Sequence, residues 1–450
     1  MEESVFYIGK GNPEDKHSQE SFGTVASIHT SKVFQSFRQG DCNRYASKIS
    51  GIGNGEKLFV ASETKALINV YVWGKESVDQ RMPIPEPLSC LDVVHLPVSE
   101  SESKGIPNYR VPWLLAGGSK SGKVYVWELL TGNLIFVKDV HYQAINVLKF
   151  SPCGNFLVSG GDDSRCIIYK TEDLVSGRED VKPWHIINDH TLTVTDLTIS
   201  EGLINDVKVY TTSKDSTLRV YNILKKELLT TFVLPASIDA ITKDPVGRYL
   251  YVGLNNGTIR SIPMFKINNS VLEAVGGIGK IITVANDPEL RETFSFHSNK
   301  ITQLQISMDG TKLISGDDQG FIYVSDVISK QIIKDFKINS GVSCLQVLTF
   351  PTDVFSDSLI NDKKTRLIPP FKRVLNDKSQ LEHDIYFEIP SNTQQESSFE
   401  HWINEKAQEE LDFKTSESVG NDKVKISNAY NELKSKYDEL LNDHKQLLNQ

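Results

Sequence analysis

The stretch INVLKFSPCGNFLVSGGDDSRCIIYK, residues 145–170, constrains this chain more than any other. Ile145, Val147, Leu148 and Phe150 interleave with polar neighbours, Ser151 to Gly154 supply turn chemistry, and Phe156 to Ser159 form a second apolar run. The pattern predicts a strand, a tight turn and two further strands, the last from Cys166 to Tyr169. A fourth strand is expected around Trp184 to Ile187.

Polar residues lift this unit above an ordinary meander: Ser159 on the middle strand, Asp163 in the turn after it, Tyr169 on the third strand, and His141 upstream. An Asp in that turn can accept from backbone N–H groups and a His, while Ser and an aromatic hydroxyl extend the chain, so that buried polar atoms satisfy one another. Such a network staples one blade of a propeller. In these residues the chain resembles the WD-repeat family, whose repeats run from a His through Ser and Asp to a Trp-Asp pair. Here the terminal pair is Tyr169-Lys170.

The unit recurs. Residues 190–233 repeat it with His190, Thr211, Asp215 and Tyr221 at nearly the same spacing. Further units start near Tyr45, Leu91, Ile238 and Ile301, and the third ends in Trp127-Glu128, the closest approach to Trp-Asp in the chain. Polar inserts fall at 99–109 and 264–291. Near the N-terminus, Val5 to Ile8, Gly23 to Ile28 and Val33 to Phe37 make a blade that lacks its innermost strand, and 342–350 is a strand without a blade. Seven units of about 40 to 45 residues then imply an all-β fold, a seven-bladed WD40 β-propeller over residues 1–350, closed by strand 342–350. That pairing removes an edge prone to aggregation.

After Phe350 the pattern stops. Residues 351–395 are expected as an irregular segment on the propeller surface, with short apolar runs at 367–374 and 383–389. Residues 396–450 are expected as a helical tail, a C-terminal α-helical coiled-coil extension. Ile426, Tyr430, Leu433, Tyr437, Leu440, His444 and Leu447 alternate in steps of four and three, predicting a coiled coil over 423–450. A single helix with such a stripe has nothing to bury against. A homodimer through this coil is the simplest expectation.

Composition excludes several classes. A net charge of −9 argues against bulk nucleic-acid binding as the main source of affinity. Cys42, Cys90, Cys153, Cys166 and Cys344 are scattered with no CxxC pair, so neither a zinc site nor a disulfide framework is expected. No apolar run approaches the roughly 20 residues of a spanning helix, and no basic-then-apolar leader opens the chain, so no membrane association is expected.

Candidate chemistry has a plainer reading at each place. Gly117 to Lys123 satisfies GxxxxGK, but Val124 follows where Ser or Thr should hold magnesium, and a strand is expected in place of a helix. The GIGNGEK run at 51–57 also connects two strands. His141, His190 and His297 lie at repeat junctions, too far apart for one metal. Asp189-His190 and His383-Asp384 have no placed nucleophile. No catalytic, cofactor-binding or metal residue and no small-molecule substrate is therefore expected. Lys363, Lys364, Arg366, Lys372 and Arg373 form a basic cluster, read either as a nuclear-import or RNA-phosphate contact or as a solvated linker.

Several stretches narrow the resemblance: KALINVY (65–71), VDQRMPIPEPLSCLDVV (78–94), SGKVYVWELLTGNL (121–134), HYQ (141–143), DHTLTVTD (189–196), SKQII (329–333), HDIYFEI (383–389) and the terminal heptads. Together they resemble the fungal WD-repeat subunits of the nuclear complex that matures the 60S ribosomal precursor, whose animal counterpart is WD-repeat protein 18. The resemblance implies a non-catalytic scaffold in the nucleus (nucleoplasm or nucleolus). It also implies as partners a helical-repeat subunit, a smaller third subunit, the midasin ATPase and the pre-60S particle, with removal of the ITS2 spacer dependent on the complex. Two other classes fit less of the chain. One is a generic interaction adaptor, such as a ubiquitin-ligase receptor or trafficking coat; the other is an enzyme built in the propeller channel.

Overall fold

A computed structural model describes residues 2–11, 21–51, 56–95, 112–176, 180–201, 207–268, 271–284, 293–350, 368–375, 430–432 and 434–436. Contacts divide the chain into two units, Met1–Tyr386 and Phe387–Gln450.

Among the described residues of the first unit, seven sheets of four or five strands follow one another in chain order. Blade 2 holds Ser47–Ile49, Lys57–Ala61, Leu67–Val72 and Gln80–Pro83. Blade 3 holds Leu88–His95, Pro112–Ser119, Lys123–Glu128 and Leu134–Asp139. Blade 4 holds Ile145–Phe150, Phe156–Gly161, Cys166–Lys170 and His185–Ile187. Blade 5 begins with Val194–Ile199, Lys208–Ser213, Thr217–Asn222 and Glu227–Val233. Blade 6 holds Ile238–Lys243, Tyr249–Leu254, Ile259–Pro263 and Thr293–Phe294. Blade 7 holds Ile301–Ile306, Lys312–Asp317, Phe321–Asp326 and Ile332–Lys337.

Blade 1 joins the first and last described strands of this unit. Its sheet runs Val33–Phe37, Gly23–Ser27, Glu2–Gly9 and, innermost, Val342–Phe350. The closing pair is antiparallel and long, from Glu2 opposite Phe350 to Gly9 opposite Val342. Apolar side chains hold it: Val5, Tyr7, Val342 and Leu345 share one buried cluster with Ile314, Ile322 and Val324 of blade 7.

Burial explains why the strands differ in sequence. Second strands lie between neighbouring blades on both faces, so Phe156–Gly161 and Lys57–Ala61 are buried throughout and read as continuous apolar or small-residue runs. Outer strands meet water, and Ile332–Lys337 is exposed or half-exposed along its whole length. The turn between second and third strands needs a left-handed residue: Gly122, Gly257 and Gly320 in blades 3, 6 and 7, but Ser164 and Ser216 in blades 4 and 5.

Three features depart from the sequence reading. A short helix, Thr171–Val175, separates the last two strands of blade 4, and the outer strand starts at His185. The insert after blade 6's third strand forms a hairpin, Phe265–Asn268 with Val271–Ala274. It then sends Lys280–Thr283 back to pair in parallel with Glu227–Val233, so blade 5 has five strands. The coiled-coil expectation falls largely outside the described residues, as do the run at 383–389 and seam residues Ile426, Leu433, Tyr437, Leu440, His444 and Leu447. Tyr430 is helical and 67% exposed, and Lys436 pairs with Glu432 at 3.0 Å along the same helix.

Candidate functional site

The polar network of blade 4 closes around a buried imidazole. His141 Nδ1 lies 2.9 Å from Asp163 Oδ1, and its Nε2 lies 2.8 Å from Ser159 Oγ. Asp163 also accepts from the backbone N–H groups of Tyr142 and Arg165. Burial alone would raise its pKa, but the bonds from His141 and these amides outweigh it and hold it below the usual carboxylate range. Blade 5 repeats the arrangement, with His190 Nδ1 at 3.0 Å from Asp215 Oδ2 and Nε2 at 2.8 Å from Thr211 Oγ1.

The two tyrosines correct the expectation. Tyr169 sits opposite Leu157 and Ser159 opposite Ile167, so the phenol is two positions too far along the sheet. Its ring instead meets Phe136 edge-on at 5.7 Å. Tyr221 donates its hydroxyl to Asp189 at 2.9 Å, outside the His190 network.

The structure supplies partners for His297, which the sequence places at a repeat junction, and adds staples in blades 2 and 3. His297 in blade 7 bonds Asp317 at 3.1 Å and Ser315 at 2.7 Å; the serine keeps its 18-residue distance from the histidine, but the aspartate lies 20 residues from it against 22 in blade 4. In blade 3, Glu86 takes the place of the histidine and accepts from Ser121 and Tyr125. In blade 2, Asp41 accepts from Ser62 without a histidine.

A second set of bonds runs around the inner wall. Inner strands of blades 3 to 7 each carry a register shift after their first residue. The bulge turns the second residue toward the next blade. Ser89 donates to Ile145 O, Asn146 to Val194 O at 3.0 Å, Thr195 to Ile238 O at 2.8 Å, and Thr302 to Val342 O at 2.8 Å. Ser343 donates to Cys42 O, and Asn43 reaches Leu88 O at 3.5 Å. Blade 6 breaks the series with Asp239 at the second position. Its backbone carbonyl instead receives the guanidinium of Arg44 from the loop between blades 1 and 2.

Lysines and aspartates extend the wall bonding. Lys48 pairs with Asp92 at 2.9 Å, and Asp92 accepts from Phe150 N. Lys149 pairs with Asp196 at 2.8 Å, and Asp196 accepts from Ile241 N. Inner strands of all seven blades contribute to a central cavity of ≈ 470 Å³, and Tyr45 is part of its lining. Tyr45 is held at φ 58°, with Arg44 and Lys149 over its ring at 4.9 and 5.0 Å. The cavity's Lys48 and Lys149 are thus bound to carboxylates within the wall.

Residues 368–375 dock on blades 2 and 3. Phe371 is buried, stacked on Trp127, which in turn stacks on Tyr125. Trp127 Nε1 donates to Lys372 O at 3.0 Å, Lys372 N to Gly132 O at 2.8 Å, and Gln80 Nε2 to Ile368 O at 3.2 Å. This part of the 367–374 run is therefore built into the blade edge. Of the basic cluster, Lys363, Lys364 and Arg366 fall outside the described residues.

The glycine-rich run at 117–123 contains the end of one strand, a turn and the start of the next, with no helix to face a phosphate. Burial pushes the Cys90 and Cys166 thiols up to about 12, so neither is a nucleophile at neutral pH. Among the described residues no three His, Cys, Asp or Glu side chains form a group that could hold a metal.

The sequence profile described as WD domain, G-beta repeat, matches residues 132–170 and 288–326. Pre-rRNA-processing protein IPI3 of Candida albicans is 47% identical over 100% of both chains. The protein of that name from Scheffersomyces stipitis is 48% identical over 97% of this chain and 93% of its own, and that from Saccharomyces cerevisiae 32% identical over 82% and 80%. Blades, staples and full-length identity agree: the chain belongs to the family of fungal pre-rRNA-processing proteins IPI3.

Proposed function

We propose that this protein is a non-catalytic scaffold subunit of a nuclear pre-60S ribosome assembly complex, needed for processing of the ITS2 spacer and for recruiting the midasin ATPase. The observation that carries the reading is the full-length identity to relatives named for pre-rRNA processing. The staples and wall bonds support it, because a ring whose polar groups are spent on its own rigidity offers surfaces in place of a reactive centre. Its partners are a helical-repeat subunit, a smaller third subunit, midasin and the pre-60S particle, met in the nucleoplasm or nucleolus. We assign 1–350 to the propeller, 351–395 to a surface segment and 396–450 to the helical tail, whose coil over 423–450 pairs two copies. Two copies on one tail raise the effective concentration of each propeller surface at a shared particle.

The test is depletion of the protein with a tagged copy as rescue. The tagged chain is expected to sediment with pre-60S particles, and unprocessed ITS2-containing precursor to accumulate on depletion. Absence from those particles with normal spacer removal refutes the reading. Removing residues 423–450 is expected to halve the mass of the purified chain in sedimentation, and an unchanged mass refutes the coil.

A further inference from the structure

We propose that the arc over blades 3 to 5, centred on Tyr142 and Arg165, is a docking surface for an acidic segment of a protein partner, one that alternates carboxylates with large apolar side chains.

Tyr142 is 80% exposed, so core packing does not account for an aromatic residue there. Its position is nonetheless fixed. The Asp163 carboxylate, buried against His141, accepts from the backbone N–H of Tyr142 with one oxygen and from that of Arg165 with the other, both at 3.2 Å. Ser164 between Asp163 and Arg165 is held in the left-handed region at φ 64°. The Arg165 guanidinium then lies over the Tyr142 ring at 4.7 Å. A phenol and a guanidinium are thus presented to solvent as one pre-ordered pair, so little side-chain entropy is lost when a partner binds.

The neighbouring blades add to the pair. The turn of blade 3 lies against this loop, since a Cβ on Gly122 would sit 2.1 Å from His141 O and 2.9 Å from Gln143 O. That turn carries exposed Lys120. In blade 5, Thr191 N bonds Asp215 as Tyr142 N bonds Asp163, so Thr191 holds the equivalent position and Leu192, 51% exposed, follows it. Lys214 beside it is exposed and bonds Thr193 O through its backbone. Lys120 and Lys214 make no ion pair among the described residues. A chain of net charge −9 therefore shows spaced, outward cations flanking an aromatic and a leucine. Asp162 and exposed Asp189 lie among them and would repel the dense charge of a phosphate backbone. Separate carboxylates with apolar side chains between them fit the spacing better.

This inference rests on the scaffold reading only in taking a protein as the ligand. The test uses the purified full-length chain and a fluorescein-labelled synthetic peptide of Glu-Asp-Phe repeats, read by fluorescence anisotropy. Saturable binding is expected, weakened at least about tenfold by Y142A and by R165E, the loss typical of a central interface residue. K32E, the same charge change on the turn between the outer strands of blade 1, should leave binding unchanged. Thermal midpoints of all three variants should match the parent, because none of these side chains is buried. No saturable binding, equal weakening by K32E, or preferential binding of an oligouridine RNA that Y142A and R165E abolish would each overturn the proposal. Because the chain is assayed alone, such a failure stays distinct from absence on pre-60S particles, which bears on the scaffold reading.

Discussion

Trp127 and Phe371 stack with ring centroids 5.6 Å apart and planes 22° from parallel, and the indole N–H bonds the carbonyl of the residue after the phenylalanine. This stack, with the Lys372–Gly132 and Gln80–Ile368 bonds, seats residues 368–375 against blades 2 and 3. Phe371→Ala removes a buried ring and should weaken docking of the segment by about 3 kcal/mol. Hydrogen exchange is the measurement: the Lys372 amide should lose protection while the inner strands keep theirs. Unchanged protection at Lys372 would mean that the backbone bonds suffice without the ring.

The tyrosine correction separates two variants that sequence alone would treat as equivalent. Asp163→Ala strips His141 of its carboxylate and two turn amides of their acceptor, and should cost about 2–3 kcal/mol in denaturant unfolding. Tyr221→Phe loses a hydrogen bond to a carboxylate and should cost about 1 kcal/mol. Tyr169→Phe should cost less than either, since its ring packing on Phe136 survives. A loss at Tyr169 as large as that at Asp163 would restore the phenol to the network.

Each donor on the inner wall joins one blade to the next. Replacing Thr195 or Thr302 by Val keeps the shape but leaves a buried carbonyl, Ile238 O or Val342 O, without that partner. Each change should destabilise by about 1–2 kcal/mol. Their effects should add within about 0.5 kcal/mol, because the junctions are separate. Calorimetry of the two single variants and the double variant checks both statements.

Stability should fall in acid in two stages. Burial holds the pKa of His297 below its ordinary 6.5, against the opposing pull of Asp317. The folded state therefore binds fewer protons there than the unfolded chain, so this contribution is complete above pH 6.5 and is lost as pH falls toward the folded value. Asp163 and Asp215 lie below 3.8 because their hydrogen bonds outweigh burial, so their contribution is complete above that pH and is lost below it. Thermal midpoints measured from pH 8 to pH 3 should stay level to about pH 6.5, decline gently, then drop steeply. His297→Gln should shrink the first decline; an identical profile in that variant would place it elsewhere.

The seven-fold repeat is legible in sequence because second strands, buried on both faces, must be apolar or small, and because a His, a hydroxyl and an Asp that satisfy one another recur at similar spacing. His141, Ser159 and Asp163 follow from that rule; His297 and Ser315 keep it, while Asp317 comes two residues earlier than the blade 4 spacing places it. What stayed hidden depends on register or on distant partners. Tyr169 has the right residue type on the right strand, but it faces Leu157. Lys280–Thr283 has the composition of a strand, yet nothing local tells that its neighbour lies in the preceding blade. The wall donors Ser89, Asn146, Thr195 and Thr302 look like any polar residue near a strand start until the recurring bulge aligns them.

Closing blade 1 with Val342–Phe350 has a consequence for how the protein is made. Glu2–Gly9 is translated before blades 2 to 7, whereas its inner neighbour is translated only after them. At about 5 to 20 residues per second, that delay is on the order of tens of seconds. Throughout it the nascent chain carries an open strand rich in Val5, Phe6, Tyr7 and Ile8, all buried once folded. Closure of the ring thus waits on Val342–Phe350, and until then the apolar face of Glu2–Gly9 is without its final partner.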